Sequence, residues 1–220
     1  MPKALLPSLV ALKGNVGPYE SLTDAQIVVE GGRERLRFSS AIGNFGEGPI
    51  ELRGNTKRKP VKAFQHVRQS NGQSIPEEVG RFVRDDRPGH EHWHFRQLAF
   101  YRLTHKGRTV GTMQKQAFCL VDSARVRASN RSPNTKRYRE SGCDGDSLRM
   151  GISVGWADVY PAELPGQYIN LKGVKSGTYR LEFEINPRSG LKERKSPQRR
   201  TSVRIRIRTA ADGTREAMVG

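Results

Sequence analysis

Eight residues near the C-terminal end, Thr178-Tyr179-Arg180-Leu181-Glu182-Phe183-Glu184-Ile185, alternate polar and apolar side chains without a break. Val203-Arg204-Ile205-Arg206-Ile207-Arg208 does the same, with an arginine at every second position. Period two belongs to the pleated strand, where successive side chains leave on opposite faces. Two strands are therefore predicted, with Tyr179, Leu181, Phe183 and Ile185 inward and the arginines outward. If they pair as antiparallel neighbours, Glu182 and Glu184 can face the arginines, at about 0.2–1 kcal/mol per pair. The connection, Asn186 to Arg200, carries six basic residues, one acid and two prolines, and reads as a mobile basic loop.

The rest of the chain points to the same class. Strands are predicted over Gln26–Val29, Leu36–Ile42 and Ile50–Arg53, with Gly31-Gly32 and the stretch Gly43 to Pro49 as turns. Val61–Val67 and Val79–Val83 read as further strands or a hairpin, His90–Leu103 as one long strand, and Thr109–Met113 as another. Turn signals every ten residues or so fit a sandwich or barrel. No long amphipathic helix and no internal repeat is present. The expectation is an all-β, single sandwich-like domain over 25–210 with long basic loops, an irregular segment 1–24 and a flexible tail 211–220. Residues 123–147, polar and Ser-rich, read as a surface loop long enough to need restraint.

Composition narrows the partners. The net charge is +17, from 39 Lys and Arg against 22 Asp and Glu, which attracts polyanions and acidic surfaces or matrix. No helix-turn-helix, zinc-finger or RNA-binding aromatic motif accompanies it, so no specific nucleic-acid partner is expected. Mean hydropathy is −0.70, and no stretch approaches the roughly 18 apolar residues of a membrane span. The opening residues 1–12 hold one lysine and an apolar run broken by Pro7, a poor signal peptide. Cys119 and Cys143 are the two cysteines. By themselves they fit one disulfide, two thiols or two unrelated buried residues. A bridge would restrain the 123–147 loop by about 3–4 kcal/mol.

The most unusual stretch is His90-Glu91-His92-Trp93-His94, three of five histidines at alternate positions. On a strand all three imidazoles share one face. Imidazole suits copper, zinc, iron and nickel, and three such ligands leave positions open for water or substrate. A lone His-x-His pair is commonplace; three in alternation make a candidate metal site.

Three separated motifs, in order, resemble the lysyl oxidase family of copper- and quinone-dependent amine oxidases. The first is His90-x-His92-x-His94. The second, Lys115-Gln116-Ala117-Phe118-Cys119-Leu120-Val121-Asp122, is similar to the family's Lys-x-x-Phe-Cys-Leu-x-Asp. The third is Gly151-Ile152-Ser153-Val154-Gly155-Trp156-Ala157-Asp158-Val159-Tyr160, followed by Gln167-Tyr168-Ile169-Asn170-Leu171. The resemblance runs from about Leu36 to Arg208. It implies that His90, His92 and His94 bind a copper ion, and that Lys115 and Tyr160 become lysine tyrosylquinone, a cofactor made from the chain's own side chains. It also implies oxidation of primary amines, protein lysines included, to aldehydes with release of ammonia and hydrogen peroxide. It further implies a Cys119–Cys143 disulfide, and with it an extracellular or cell-envelope location. A general base must reach the substrate's α-proton; Asp158 is a candidate by proximity to Tyr160, and orienting the ring is its other role.

The departures are specific. Where the family's animal members have Ser-His-Tyr-Asp-Leu, this chain has Ala99-Phe100-Tyr101-Arg102-Leu103, with Phe100 in place of a histidine proposed to assist catalysis. The family's acidic, Asn-rich segment is here the basic Glu193 to Arg200. A +17 protein also repels a cationic amine over distance, so local acids guide it or the basic surface docks an acidic carrier. Two other readings of the histidines are a zinc or iron enzyme without quinone, and a non-catalytic copper-binding or adhesion domain of the same fold.

Overall fold

In the computed structural model, which describes residues 2–87, 90–113, 117–194 and 196–220, backbone pairing is antiparallel throughout the named strands. Four short strands open the chain, β1 (Ala4–Leu5), β2 (Leu9–Ala11), β3 (Gly14–Val16) and β4 (Tyr19–Ser21). They correct the expectation of an irregular segment: Leu9 and Leu22 are wholly buried there. Next come β5 (Gln26–Glu30) and β6 (Arg33–Arg37), joined by Gly31 and Gly32 at φ 56° and 70°, where a side chain would be strained. The single strand expected over 36–42 divides, because β7 (Ser40–Asn44) joins another sheet. Then follow β8 (Ile50–Asn55), β9 (Lys62–Gln69), β10 (Ser74–Asp85), β11 (His92–Arg96), β12 (Ala99–His105), β13 (Arg108–Thr112) and β14 (Ala117–Phe118). The last third holds β15 (Ala124–Arg125), β16 (Ser147–Ile152), β17 (Trp156–Tyr160), β18 (Tyr168–Asn170), β19 (Gly177–Ile185), β20 (Arg200–Thr209) and β21 (Arg215–Val219). β21 pairs with β20, so the C-terminal residues are sheet and not a loose tail.

Three sheets carry most of the architecture. The first runs β14-β11-β10-β9-β8-β16, with β1 on β9; the second runs β13-β12-β19-β20-β21; the third runs β15-β17-β7-β2. The chain passes from first to second at Gln97, whose φ of 67° breaks the extended backbone. The long strand expected over 90–103 is therefore two strands in two sheets, and the histidine face does not continue along β12.

The alternating segments behave as their pattern requires. Tyr179, Leu181, Phe183 and Ile185 of β19 are buried, as are Val203, Ile205 and Ile207 of β20. Tyr101 of β12 stacks on Phe183 at 4.4 Å and lies 5.6 Å from Phe38. Burial of each such side chain contributes about 1.5–3 kcal/mol. Phe95, Phe118, Tyr101, Phe183, Ile42 and Tyr160 belong to one apolar cluster, so inner faces of all three sheets meet there. The connection after β19 is held down over residues 186–193: Asn186 bonds to Leu191, Lys192 N donates to Gln65, and Glu193 accepts from Leu9 N. That corrects its reading as mobile.

Candidate functional site

β11 is set by its pairing with β10, where Val83 faces His94, Arg84 faces Trp93 and Asp85 faces His92. Alternation puts His92 and His94 on one side and Trp93 on the other, where Lys59 Nζ lies 4.4 Å over its ring. His90 precedes the strand. The His92 N–H donates to His90 O at 2.6 Å, a three-residue turn that brings the third imidazole to the other two. The ring centroids are 4.9, 4.8 and 4.4 Å apart. One nitrogen from each ring lies within 4.8 Å of the others, so this group could hold a metal ion. His90 and His94 are buried and His92 half-buried, which leaves an approach from one side. Asp85 Oδ2 stands 4.0 Å from His90 Nε2. Hydrogen bonding to Arg87 holds that carboxyl well below the usual range, against the opposing effect of burial.

Tyr160 ends β17. Its approach depends on the turn before that strand, where Gly155 takes φ +77° and a Cβ would meet Arg127 O at 2.1 Å. The Tyr160 hydroxyl donates to Asp158 Oδ2 and lies 3.1 Å from Cys119 O. Burial, then the charge and hydrogen bonding of Asp158, push the phenol well above its usual pKa. Phe118 meets the Tyr160 ring edge-on at 5.0 Å. Phe118 in turn pairs with Phe95 of β11, so one phenylalanine links the histidine strand to the tyrosine. Lys115 lies outside the described residues. Its flanks are placed: Met113 bridges to Ile169, and Ala117 pairs with Arg96.

Several motif residues have structural work. Cys119 and Cys143 form a disulfide across a separation of 24 residues. Asp122 accepts from Ser153 N and Ser153 Oγ, both at 2.8 Å, and from Arg137 N at 2.9 Å. It thereby ties the second motif to the third and pins the 123–147 connection, in which Tyr138 is buried. Gln167 Nε2 donates to Ser40 Oγ, which lies 2.8 Å from the Tyr101 hydroxyl. Ser123 Oγ donates to Asp158 Oδ1 at 3.4 Å and accepts from Val159 N at 3.0 Å. Sequence reading missed Tyr101, Ser40, Ser123 and Asp85. Only Tyr101 carried a signal, its place in the departing Ala99–Leu103 segment. Phe100 is half-buried on the other side of β12, opposite Glu184.

Among the described residues no helix is long and apolar enough to cross a membrane, which says nothing of a β-barrel. The family model described as lysyl oxidase matches residues 78–212, more than half of the chain. Among relatives, protein-lysine 6-oxidase of Gallus gallus is 31% identical over 101 residues, 44% of this chain and 22% of that protein. Human lysyl oxidase homolog 1 is 32% identical over 102 residues, 45% and 16% respectively. Human lysyl oxidase homolog 3 is 30% identical over 157 residues, 71% and 17%. The match spans about a fifth, or less, of the length of these relatives. The matched region contains the histidine run, the disulfide and Tyr160, and the chain belongs to the lysyl oxidase family.

Proposed function

We propose that this chain is a copper-dependent amine oxidase that converts primary amines, protein lysines among them, to aldehydes, using a quinone derived from Lys115 and Tyr160. The observation that carries the reading is a trio of imidazoles able to hold a metal ion on the strand whose Phe95 pairs with Phe118, the residue that packs on Tyr160. The donor set fits copper, since three imidazoles suit that ion and leave coordination positions open. Bound copper supplies redox chemistry with dioxygen, and a quinone supplies an electrophilic carbonyl that accepts two electrons from an amine.

The chain's own residues prepare that chemistry. The high pKa of Tyr160 keeps it a neutral phenol near neutral pH, so its proton needs a local acceptor. Asp158 Oδ2 already accepts that hydrogen bond and is the atom to take the proton when the ring is oxidised. Ser123 Oγ and the strand hold the carboxylate in place. The edge of Phe118 limits the rotation of the phenol, and the apolar cluster around it keeps bulk water away. The disulfide fixes Cys119, whose carbonyl lies beside the same hydroxyl. In this reading Asp158 acts first on Tyr160.

The test is peptide mass mapping after copper loading in air, with a hydrazine label for quinones. The Lys115 and Tyr160 peptides are expected joined and labelled, with copper retention lost in His92→Ala and label formation slowed in Asp158→Asn. Copper retained in full with the two peptides separate and unlabelled would sink the assignment.

A further inference from the structure

The outward face of the β13-β12-β19-β20-β21 sheet is divided electrically. At one end, Arg102 pairs with Glu182 at 2.8 Å and Arg200 with Glu184 at 2.6 Å. Pairing register then departs from the sequence expectation, because Arg180 and not an acid stands opposite Arg204. Thr178 stands opposite Arg206, and Met218 flanks it on the other side. Lys106 turns the adjacent β12–β13 hairpin, and a hollow there is lined by Lys106, Thr104, Thr178, Arg180 and Arg204. Among the described residues, none of Lys106, Arg180, Arg204 and Arg206 makes an ion pair; Arg180 donates to Ser202 Oγ. The neighbouring acids are engaged: Glu182 with Arg102 and Thr104, and Glu216 with Arg208. Like charges directly across a strand pair destabilise it, so the fold carries this cost without an internal gain.

We propose that Lys106, Arg180, Arg204 and Arg206 dock an extended acidic polypeptide segment, and that the lysines this protein oxidises belong to acidic proteins. The second half rests on the amine-oxidase reading. Outward positions along β20 recur about every 6.8 Å, which is also the repeat of alternate side chains in an extended peptide. Guanidinium groups bind carboxylates through paired hydrogen bonds, at roughly twice the strength of neutral ones. The rows holding these cations carry Thr104, Thr178 and Met218, and Tyr179, the ring in the lining of the hollow, is buried, so nucleobases would find little ring surface to stack on. Whole-molecule charge agrees: +17 repels a free cationic amine and attracts an acidic protein bearing one. From the Lys106 hairpin, β13 and Met113 run roughly 17 Å, and Met113 precedes Lys115 by two residues in the sequence.

The experiment is fluorescence anisotropy of labelled poly-glutamate on the full chain, against a sulfated polysaccharide and a single-stranded oligonucleotide of matched charge. Replacing Arg180, Arg204 and Arg206 by Gln together is expected to weaken poly-glutamate binding at least about tenfold, as charge-assisted bonds are lost. The control pair Arg102→Gln and Arg200→Gln, at the neutralised end, is expected to stay within about twofold. Circular dichroism checks that each variant is folded. Unchanged affinity in the folded triple variant overturns the proposal, as does tighter binding of either competing polymer. On copper-loaded enzyme, a Glu-Lys copolymer is expected to exceed poly-lysine in kcat/KM, with the advantage lost in the triple variant and the hydrazine label intact. Equal rates on both polymers overturn the substrate half. No turnover on any amine, with poly-glutamate binding still lost in the triple variant, removes the oxidase reading and leaves the docking surface standing.

Discussion

Tyr160 and Tyr138 are both buried with their hydroxyls on carboxylates, yet the described neighbours of the two pairs differ. Tyr138 donates to Glu51 at 2.6 Å, and Glu51 also meets Arg53 and Arg149, each about half exposed. Burial raises the Glu51 pKa, but the hydrogen bonds from Tyr138 and Arg53 and the two guanidinium charges outweigh it and leave it lowered. Tyr160 donates to Asp158, which Ser123 supports on a buried strand, and its ring touches Phe118 beside the histidine strand. The first arrangement is a clamp, because its charge is matched by two arginines at the surface. The second places a buried ring and a hydrogen-bond acceptor against Phe118, which pairs with Phe95 of the histidine strand. The same two residue types give structure in one place and, in the proposed reading, chemistry in the other.

The largest expected difference is in activity. Tyr160→Phe should abolish hydrazine labelling and amine oxidation, whereas Tyr138→Phe should leave both at wild-type level. Loss of labelling in Tyr138→Phe with the fold intact would break the distinction between the pairs. The next effect falls on both regions at once. The disulfide fixes Cys119 beside Tyr160 and closes the connection that carries Tyr138. Replacing Cys119 and Cys143 by Ser should cost about 3–4 kcal/mol in denaturant unfolding; a loss under about 1 kcal/mol would mean that Asp122 already supplies the restraint. Smaller still is Tyr138→Phe itself, which removes one hydrogen bond to a charged group, about 1.5–3 kcal/mol.

Legibility in the sequence followed the range of the interactions. β19 and β20 could be read because alternation is local, and so could His92 and His94. His90 joins them through a turn that alternation does not describe. The break at Gln97 was hidden, since a positive φ there follows from the meeting of two sheets. β1 to β4 are two or three residues each, too short to show a period. Register was hidden as well: it sets Arg180 opposite Arg204, and it depends on how the 186–199 connection is anchored by Gln65, Asn186 and Glu193. Tyr138 sits in a Ser-rich stretch that resembles a solvated loop, and its partner lies 87 positions away. For the tyrosine site, the motifs singled out Asp158, Tyr160 and Phe118, while the contact of Phe118 with Tyr160 and the part of Ser123 emerged only from packing.

The finest separation of the two pairs is by pH. Glu51 has a folded pKa below its ordinary value of 4.5, so deprotonation is favoured by folding. Its contribution to stability is therefore fully present above 4.5 and is lost as pH falls through the folded value. Glu51→Gln keeps an acceptor for Tyr138 but cannot titrate. Wild type should exceed this variant in stability at pH 6–7, and the gap should close as the medium is acidified below 4.5. High salt should narrow the gap at neutral pH only modestly, because the carboxylate is 3% exposed even though its arginines reach solvent. On the alkaline side the pairs agree, because burial and a neighbouring carboxylate raise Tyr138 as well as Tyr160. The raised pKa makes the neutral phenol the folded form in both, so ionisation begins to oppose folding only at alkaline pH, and the separation lies on the acid side. Urea unfolding of wild type, Glu51→Gln and Tyr160→Phe across pH 3–11 would resolve both limbs. An acid-side gap that stays constant would show that Glu51 is held by packing and not by its charge.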